Sequence, residues 1–339
     1  MKKSLLALAV LGAFAGAASA QSSVTIYGVL DLAVTKGNGG TAPNPGANGL
    51  STAYLMKQSA ASRLGFRGSE DMGGGLSAQF QIEHRFTPDD GVAATPFWAG
   101  RSYVQLTSAA VGSIYMGREY GPEFWPAVKV EPFGWDGVGQ NSSMQYAGFT
   151  TVLNGASSVR TSNTGGFKSR SFGGLTAQVA VSLGEGVAGA GRVVSGNLEY
   201  AGGPVYAGLG IAKISTGTND GHQLVNLGAT YDLGFIKPAV YFAQSKVGAA
   251  GSVTGRDVML GLTAPIGAGK LKFAFNRLDP NTAVGNTTLA NSQSSKIGIG
   301  YDYALSKRTG VYVDFGQGKS QFAASTNNRA AAVGMKHTF

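Results

Sequence analysis

The 339-residue chain has no cysteine, 27 basic against 18 acidic residues, and 13% charged residues, about half the share usual in soluble globular proteins. These figures exclude a disulfide-stapled secreted domain, and no apolar run after residue 20 is long enough for a transmembrane helix. Glycine supplies 53 residues, roughly 16% of the chain against a usual 7%, which together with abundant β-branched and aromatic residues favours an all-β protein with many turns.

The first twenty residues have the pattern of a secretory signal peptide. Lys2 and Lys3 precede an apolar run, and Ala18-Ser19-Ala20 forms a small-residue cleavage site. The apolar run is too short to span a bilayer as a helix. We therefore predict a signal peptide at residues 1–20 and a single mature domain at residues 21–339, with a net charge of about +7 once the two lysines are removed.

Strictly alternating apolar and polar residues mark strands along the mature chain. From Leu76 to Glu83 the apolar side chains fall on one face and the polar ones on the other, and the segments 24–29, 270–276 and 310–315 behave in the same way. Such alternation is typical of a sheet with one apolar and one polar face.

Two kinds of connection separate these strands. Short, mostly glycine-rich turns lie near residues 71–74, 109–112, 172–174, 201–204, 232–234, 266–269 and 305–307. Longer connections lie near residues 36–56, 87–97, 119–155, 185–192, 216–221, 247–254, 280–293 and 319–327. Their alternation predicts sixteen strands, with short turns at one end and long loops at the other.

An even number of strands with loops of unequal length at the two ends favours a closed antiparallel transmembrane β-barrel. Lipid offers no partner to backbone N–H and C=O groups, so a sheet in a membrane must close on itself. A secreted β-sandwich or β-helix also has alternating strands, but it explains neither the even count nor the one-sided loop lengths.

The connection after the strand at 112–118 differs from all the others. From Glu119 to Thr150 the period of two is lost, and the segment combines three prolines, four acids and the aromatics Phe124, Trp125, Phe133 and Trp135. Long loops in compact chains are normally functional or disordered, and large aromatic side chains argue against disorder. The pattern therefore predicts an ordered loop folded against another part of the protein.

Four stretches make the chain similar to a known family: residues 23–28, 62–71 and 116–120, and the terminal strand 333–339 that ends on Phe339. The chain resembles the trimeric general diffusion porins of Gram-negative bacteria, in the subgroup of the β-proteobacteria. The resemblance implies a 16-stranded outer-membrane barrel, a homotrimer in contact with outer-membrane lipid and lipopolysaccharide, and a third long loop folded into the lumen. It also implies a water-filled channel for ions and small hydrophilic solutes.

Selectivity in a pore depends on its width and on the charges that line it. Alternation turns Arg63, Glu83 and Arg101 toward the lumen. By resemblance to the family, Arg63 and Arg101 match the arginines on the barrel wall, and Glu83 matches an acidic residue of the constriction. Gly166 stands where the family often has a basic residue. Either Arg160, Lys168 or Arg170 takes its place, or the constriction is less basic than in the family. The constriction predicted on this basis, with a mild preference for anions, comprises Arg63, Glu83, Arg101, Arg118, Glu119, Glu123, Glu131, Asp136, Arg160 and Lys168.

Other functions have weaker support in the sequence. His84, His222 and His337 have no metal-ligand spacing, and no strand–loop–helix motif indicates a phosphate site, so we expect no enzyme activity, metal or cofactor. The basic residues are dispersed, which disfavours nucleic-acid binding. A substrate-specific channel remains an alternative if Tyr103, Tyr115 and Trp125 begin an aromatic slide. A surface adhesin is a weaker alternative because it would need much larger loops.

Overall fold

The computed structural model describes residues 23–37, 54–147, 149, 159–185, 191–217, 219–247, 253–280, 294–320 and 326–339. The predicted signal peptide, residues 1–20, lies outside the described residues. Within them, no helix is both long enough and apolar enough to cross a membrane.

The described chain forms one antiparallel sheet of seventeen strands. The first nine are β1 (Ser23–Gly37), β2 (Tyr54–Lys57), β3 (Arg63–Gly73), β4 (Leu76–Arg85), β5 (Ser102–Ser108), β6 (Gly112–Tyr120), β7 (Arg160–Ser169), β8 (Leu175–Ser182) and β9 (Arg192–Gly202). The others are β10 (Val205–Ser215), β11 (Gln223–Tyr231), β12 (Lys237–Val247), β13 (Val253–Ile266), β14 (Gly269–Pro280), β15 (Ser294–Ala304), β16 (Thr309–Ser320) and β17 (Thr326–Thr338).

The sheet closes because β1 pairs with strands from both ends of the chain. On one side it pairs with β17, from Val29 opposite Thr338 to Gly37 opposite Ala330. On its other side its first half pairs with β3 and its second half with β2. The strands β2 and β3 therefore share one strand position in the barrel, interrupted at residues 58–62, and the predicted barrel of sixteen antiparallel strands is confirmed. The seven predicted short turns lie at one end of it.

The outer and inner faces of the wall follow the predicted alternation. The outward positions carry exposed apolar side chains, such as Ile26 on β1, Val104 on β5 and Met335 on β17. Inward positions carry polar residues along the free lumen, and small or apolar residues, such as Ile214 and Met259, where the lumen is filled. This arrangement suits a membrane, because only the outward face meets lipid.

The long connection between β6 and β7 folds into the barrel, as predicted. We call its described part from residue 121 to residue 147 the lumen loop. It contains two short helices, α1 (Phe124–Val128) and α2 (Ser142–Gln145). The first helix packs on β9, β10 and β11, and the second packs on β13 and β14.

The wall beneath the lumen loop contains glycine where the loop backbone comes closest. A Cβ at Gly298 would collide with the carbonyl oxygen of Gly139, and one at Gly228 would lie 2.5 Å from that of Pro126. Glycine permits this close approach because it has no side chain. Part of the high glycine content therefore serves to seat the loop against the wall.

An apolar cluster holds the loop in place. From the loop it includes Val130, Met144 and Tyr146, and from the wall it includes Ile214 and Met259, all nearly inaccessible to solvent. Burial of large apolar side chains contributes on the order of 1.5–3 kcal/mol each. The loop is thus a packed part of the barrel, and it fills the lumen along β9 to β14.

Candidate functional site

The free part of the lumen is bounded by basic side chains on the wall opposite the loop-packed strands. Arg63 on β3, Arg85 on β4, Arg101 just before β5, and Arg160 and Lys168 on β7 form this group, which we call the arginine wall. The side chains of Arg63, Arg101 and Lys168 retain 32%, 20% and 22% exposure, so they can meet a passing solute.

Two buried carboxylates hold the arginine wall together. The first of them, Glu83, lies 2.7 Å from Arg85 Nη2 and 3.8 Å from Arg63 Nε. Tyr27 donates its hydroxyl hydrogen to Glu83 Oε2 over 3.1 Å. Arg85 is thereby fixed in orientation by a charge-assisted contact, which is stronger than a neutral hydrogen bond, whereas Arg63 at 3.8 Å is held only by charge attraction.

Glu119 serves the second half of the arginine wall. The guanidinium of Arg101 binds it with two parallel hydrogen bonds, Nε to Oε1 at 2.9 Å and Nη2 to Oε2. Lys168 Nζ lies 3.3 Å from Glu119 Oε2. Planar two-point binding of this kind fixes the arginine more firmly than a single contact would.

Lys168, one of the three basic residues considered for the place of Gly166, lies next to Glu119. Its ammonium lies over the rings of Tyr103 and Tyr115, 5.5 Å and 4.7 Å from their centroids. Cation–π contact of this kind stabilises a lysine whose charge is partly removed from water. Lys168 therefore combines an ion pair to Glu119 with contacts to two aromatic rings.

Arg160 and Arg118 have different surroundings. Arg160 donates to the hydroxyl of Tyr120, which Arg85 Nη2 approaches to 3.4 Å, so this tyrosine joins two cations. Arg118 sits at a register shift in β6 and donates to the carbonyl oxygen of Ala99 and to the Ser162 hydroxyl. The Arg118 guanidinium thus links the residues before β5 to β7, and the Arg118 side chain is nearly inaccessible to solvent.

Two loop acids that the sequence places in the constriction are turned away from the opening. Glu123 is completely inaccessible and lies against the wall, where burial raises the pKa of its carboxyl to about 7. Glu131 accepts hydrogen bonds from the backbone N–H groups of Phe133 and Trp135, at 2.9 and 3.0 Å. Burial raises the pKa of Glu131 to about 7 despite these donors. Neither carboxyl lines the free lumen.

Asp136 is the loop acid that remains half-buried near the opening. The next residue, Gly137, donates its N–H to the Ser59 carbonyl oxygen over 3.1 Å, which holds this part of the loop near β1. Ser59 N–H in turn donates to Asp31 Oδ1 over 2.7 Å. The tip of the lumen loop is thereby fixed next to the strands that close the barrel.

Several residues near the opening were missed by the sequence analysis. Arg85 is two positions from Glu83, so strict alternation already assigns it to the same inward face. Lys272 and its partners Asp302 and Asp314, at 2.6 and 3.1 Å, also lie at inward positions. Alternation could have placed each of these on the lumen face, but it could not show which strands lie across from one another.

Comparison with known proteins agrees with this architecture. The family model for Gram-negative porins matches residues 7–323. The outer membrane porin protein 32 of Delftia acidovorans is 33% identical over 98% of this chain and 94% of its own length. An outer membrane porin protein of Bordetella pertussis is 29% identical, and the match covers 100% of both chains. The solved structure of an anion-selective porin from Comamonas acidovorans is 26% identical, with a TM-score of 0.80 over 94% of this chain and 100% of that one.

Proposed function

We propose that this chain, which belongs to the Gram-negative porin family, conducts small hydrophilic solutes passively with a mild preference for anions. Its place in the family makes it an outer-membrane channel protein. The arginine wall is the observation that carries the proposal. Four of its five cations, Arg63, Arg85, Arg101 and Lys168, contact two buried carboxylates, Glu83 and Glu119, so the wall keeps an excess of positive charge.

The placement of the loop acids increases this excess. Glu123 and Glu131 are buried away from the opening, which leaves Asp136 as the loop carboxyl beside it. Two unit charges about 4 Å apart interact by about 1 kcal/mol in bulk water and by several times more beside low-dielectric walls. A few uncompensated arginines are therefore enough to enrich anions several-fold while both signs still pass.

The similar structure from Comamonas acidovorans is described as anion-selective, which supports the same preference here. The proposed lining comprises the arginine wall with Glu83, Glu119 and Asp136. Arg118, Glu123 and Glu131 are proposed to position the lining, since none of them is exposed to the lumen.

Liposome swelling with sugars of graded size tests the function. General diffusion predicts that the swelling rate falls smoothly with solute size and does not depend on sugar chemistry. Saturable uptake of one sugar or acid would instead establish a specific channel. The structure gives that alternative little support, because Tyr115 is only 2% exposed and cannot form part of an accessible aromatic slide.

We also propose that the protein is a homotrimer embedded in outer-membrane lipid and lipopolysaccharide. A related fold, OmpT of Vibrio cholerae, has been solved in a trimer form. The outward face of this chain is apolar along both strands that close the barrel, as at Ile26 and Val333. Light scattering after mild detergent extraction tests this: a trimer mass is expected, and a monomer mass would contradict it.

A further inference from the structure

The end of the lumen beyond the constriction carries lysines that the arginine wall does not use. Lys237 on β12, Lys270 on β14 and Lys336 on β17 lie near the short turns, and each is at an inward position of its strand. In outer-membrane barrels the short turns face the periplasm. The three lysines are therefore at the periplasmic mouth of the channel.

Two cavities meet at Lys270. The first, about 400 Å³, lies between the lumen loop and the wall, with Lys129 and Pro132 on the loop side and Lys237 and Thr263 on the wall side. The second, about 410 Å³, lies at the mouth of the barrel. Its charged lining residues are the basic Lys270, Lys307, Arg308 and Lys336 and one acid, Asp302. Lys270 is therefore the lysine that the two cavities share.

Two acids are cross-strand register partners of these lysines, Asp302 of Lys270 and Asp31 of Lys336, and both acids also contact other groups. Asp31 accepts hydrogen bonds from the Tyr312 hydroxyl and the Ser59 N–H, each over 2.7 Å. Asp302 and Asp314 both pair with Lys272, and Glu199 pairs with Lys129. Asp232 accepts the N–H of Gly234 over 2.8 Å within its turn. In the part of the chain that the structure describes, no carboxylate comes within 4 Å of Lys237, Lys270 or Lys336.

We propose that Lys270, together with Lys237 and Lys336, forms a binding site for a multivalent oxyanion, specifically a phosphate or diphosphate group. A monovalent ion would offset only one of the three ammonium groups, whereas a diphosphate carries enough charge to offset them all. Lysine suits this ligand because its ammonium is a compact charge with three donors and matches phosphate oxygens without requiring a fixed plane. Lys237 and Lys270 lie on strands distant from the arginine wall, whereas Lys336 on β17 is separated from Arg63 on β3 by β1 alone.

The site would act on an anion after it has passed the constriction. Charges of one sign in a cleft with low-dielectric walls raise the local concentration of counter-ions. The proposal rests on the proposed channel only for the route by which the anion arrives. Binding itself can be measured without any conduction.

Isothermal titration calorimetry of the full-length protein in detergent, with inorganic pyrophosphate and no divalent cation, tests the proposal. Saturable binding is expected for the native protein. The double substitution Lys270→Gln with Lys336→Gln should weaken it roughly tenfold or more, because it removes two of three charge-assisted contacts. The control Lys213→Gln removes a single charge from an outward-facing, exposed position on β10 and should leave the affinity unchanged.

A second variant separates this site from the constriction. Arg63→Ala with Arg101→Ala should keep pyrophosphate binding if the lysines form the site. Binding that survives the lysine substitutions, or that is lost only in the arginine variant, would overturn the proposal and place the anion at the arginine wall. The absence of saturable binding to the native protein would also overturn it. The heat-modifiable gel mobility of each variant establishes that its barrel is folded. If pyrophosphate does not bind, only this proposal fails, because conduction is measured independently and tests the proposed channel function.

Discussion

The ring of Tyr115 on β6 lies directly over Gly166, its register partner on β7. A Cβ at Gly166 would collide with the ring atoms, so a side chain at this position requires the tyrosine to move. The same ring supports the ammonium of Lys168. The glycine and the lysine are thus two parts of one arrangement, in which the ring occupies the space above Gly166 and the cation comes from two residues further along.

This pair predicts that Gly166→Ala destabilises the barrel by about 1–3 kcal/mol, the usual cost of overpacking a filled site. The neighbouring substitution Gly165→Ala is the matched control, because a Cβ at Gly165 meets nothing within 4 Å. The temperature at which the folded band disappears from unboiled gels measures the difference. Equal transition temperatures for the two variants would show that the ring does not confine position 166.

The inward fold of the loop predicts unequal reactivity at two of its acids. The native chain has no cysteine, so single cysteines report without background. Asp136→Cys, at a half-buried position near the opening, should react with a charged thiosulfonate reagent and then conduct less. Glu123→Cys should remain unmodified in the folded protein because residue 123 is inaccessible. Rapid modification at position 123, or modification at 136 that leaves conductance unchanged, would contradict the loop position.

Burial of Glu123 predicts a pH-dependent contribution to stability. Its pKa is raised from 4.5 to about 7, so the folded state binds this proton more tightly than the unfolded state does. The barrel therefore loses stability as the pH rises from about 4.5 to 7, and the loss is complete above pH 7. Glu123→Gln should be more stable than the native protein at pH 8, by about 1–3 kcal/mol, and similar to it at pH 5.

The measurement for Glu123 is the same gel transition, followed at pH 5 and pH 8. Asp89→Asn, at an exposed position in the connection between β4 and β5, is the control for replacing a carboxyl by an amide outside the barrel interior. A stabilisation of Glu123→Gln that is equal at both pH values would show that proton binding is not its cause.

The sequence was sufficient to predict the barrel and to predict which face of the wall several charged residues occupy. Alternation assigned Arg63, Glu83 and Arg101 to the inner face, since a strand with one face in lipid permits a single register. It could not place Glu123 or Glu131, because the segment that holds them has no period and its burial depends on strands about a hundred residues later in the chain. Register between distant strands also decides which lysines gather around Lys270, and no local pattern encodes it.

The zero-current potential across a planar bilayer in a KCl gradient tests the central claim, that the arginine wall makes this channel prefer anions. The native protein should give a potential of the sign expected for chloride preference. Arg63→Ala with Arg101→Ala should reduce or reverse that potential, whereas Lys213→Gln, on the outer face, should not change it. A cation preference in the native protein, or a double variant that behaves like it, would contradict the claim and show that other charges govern the pore.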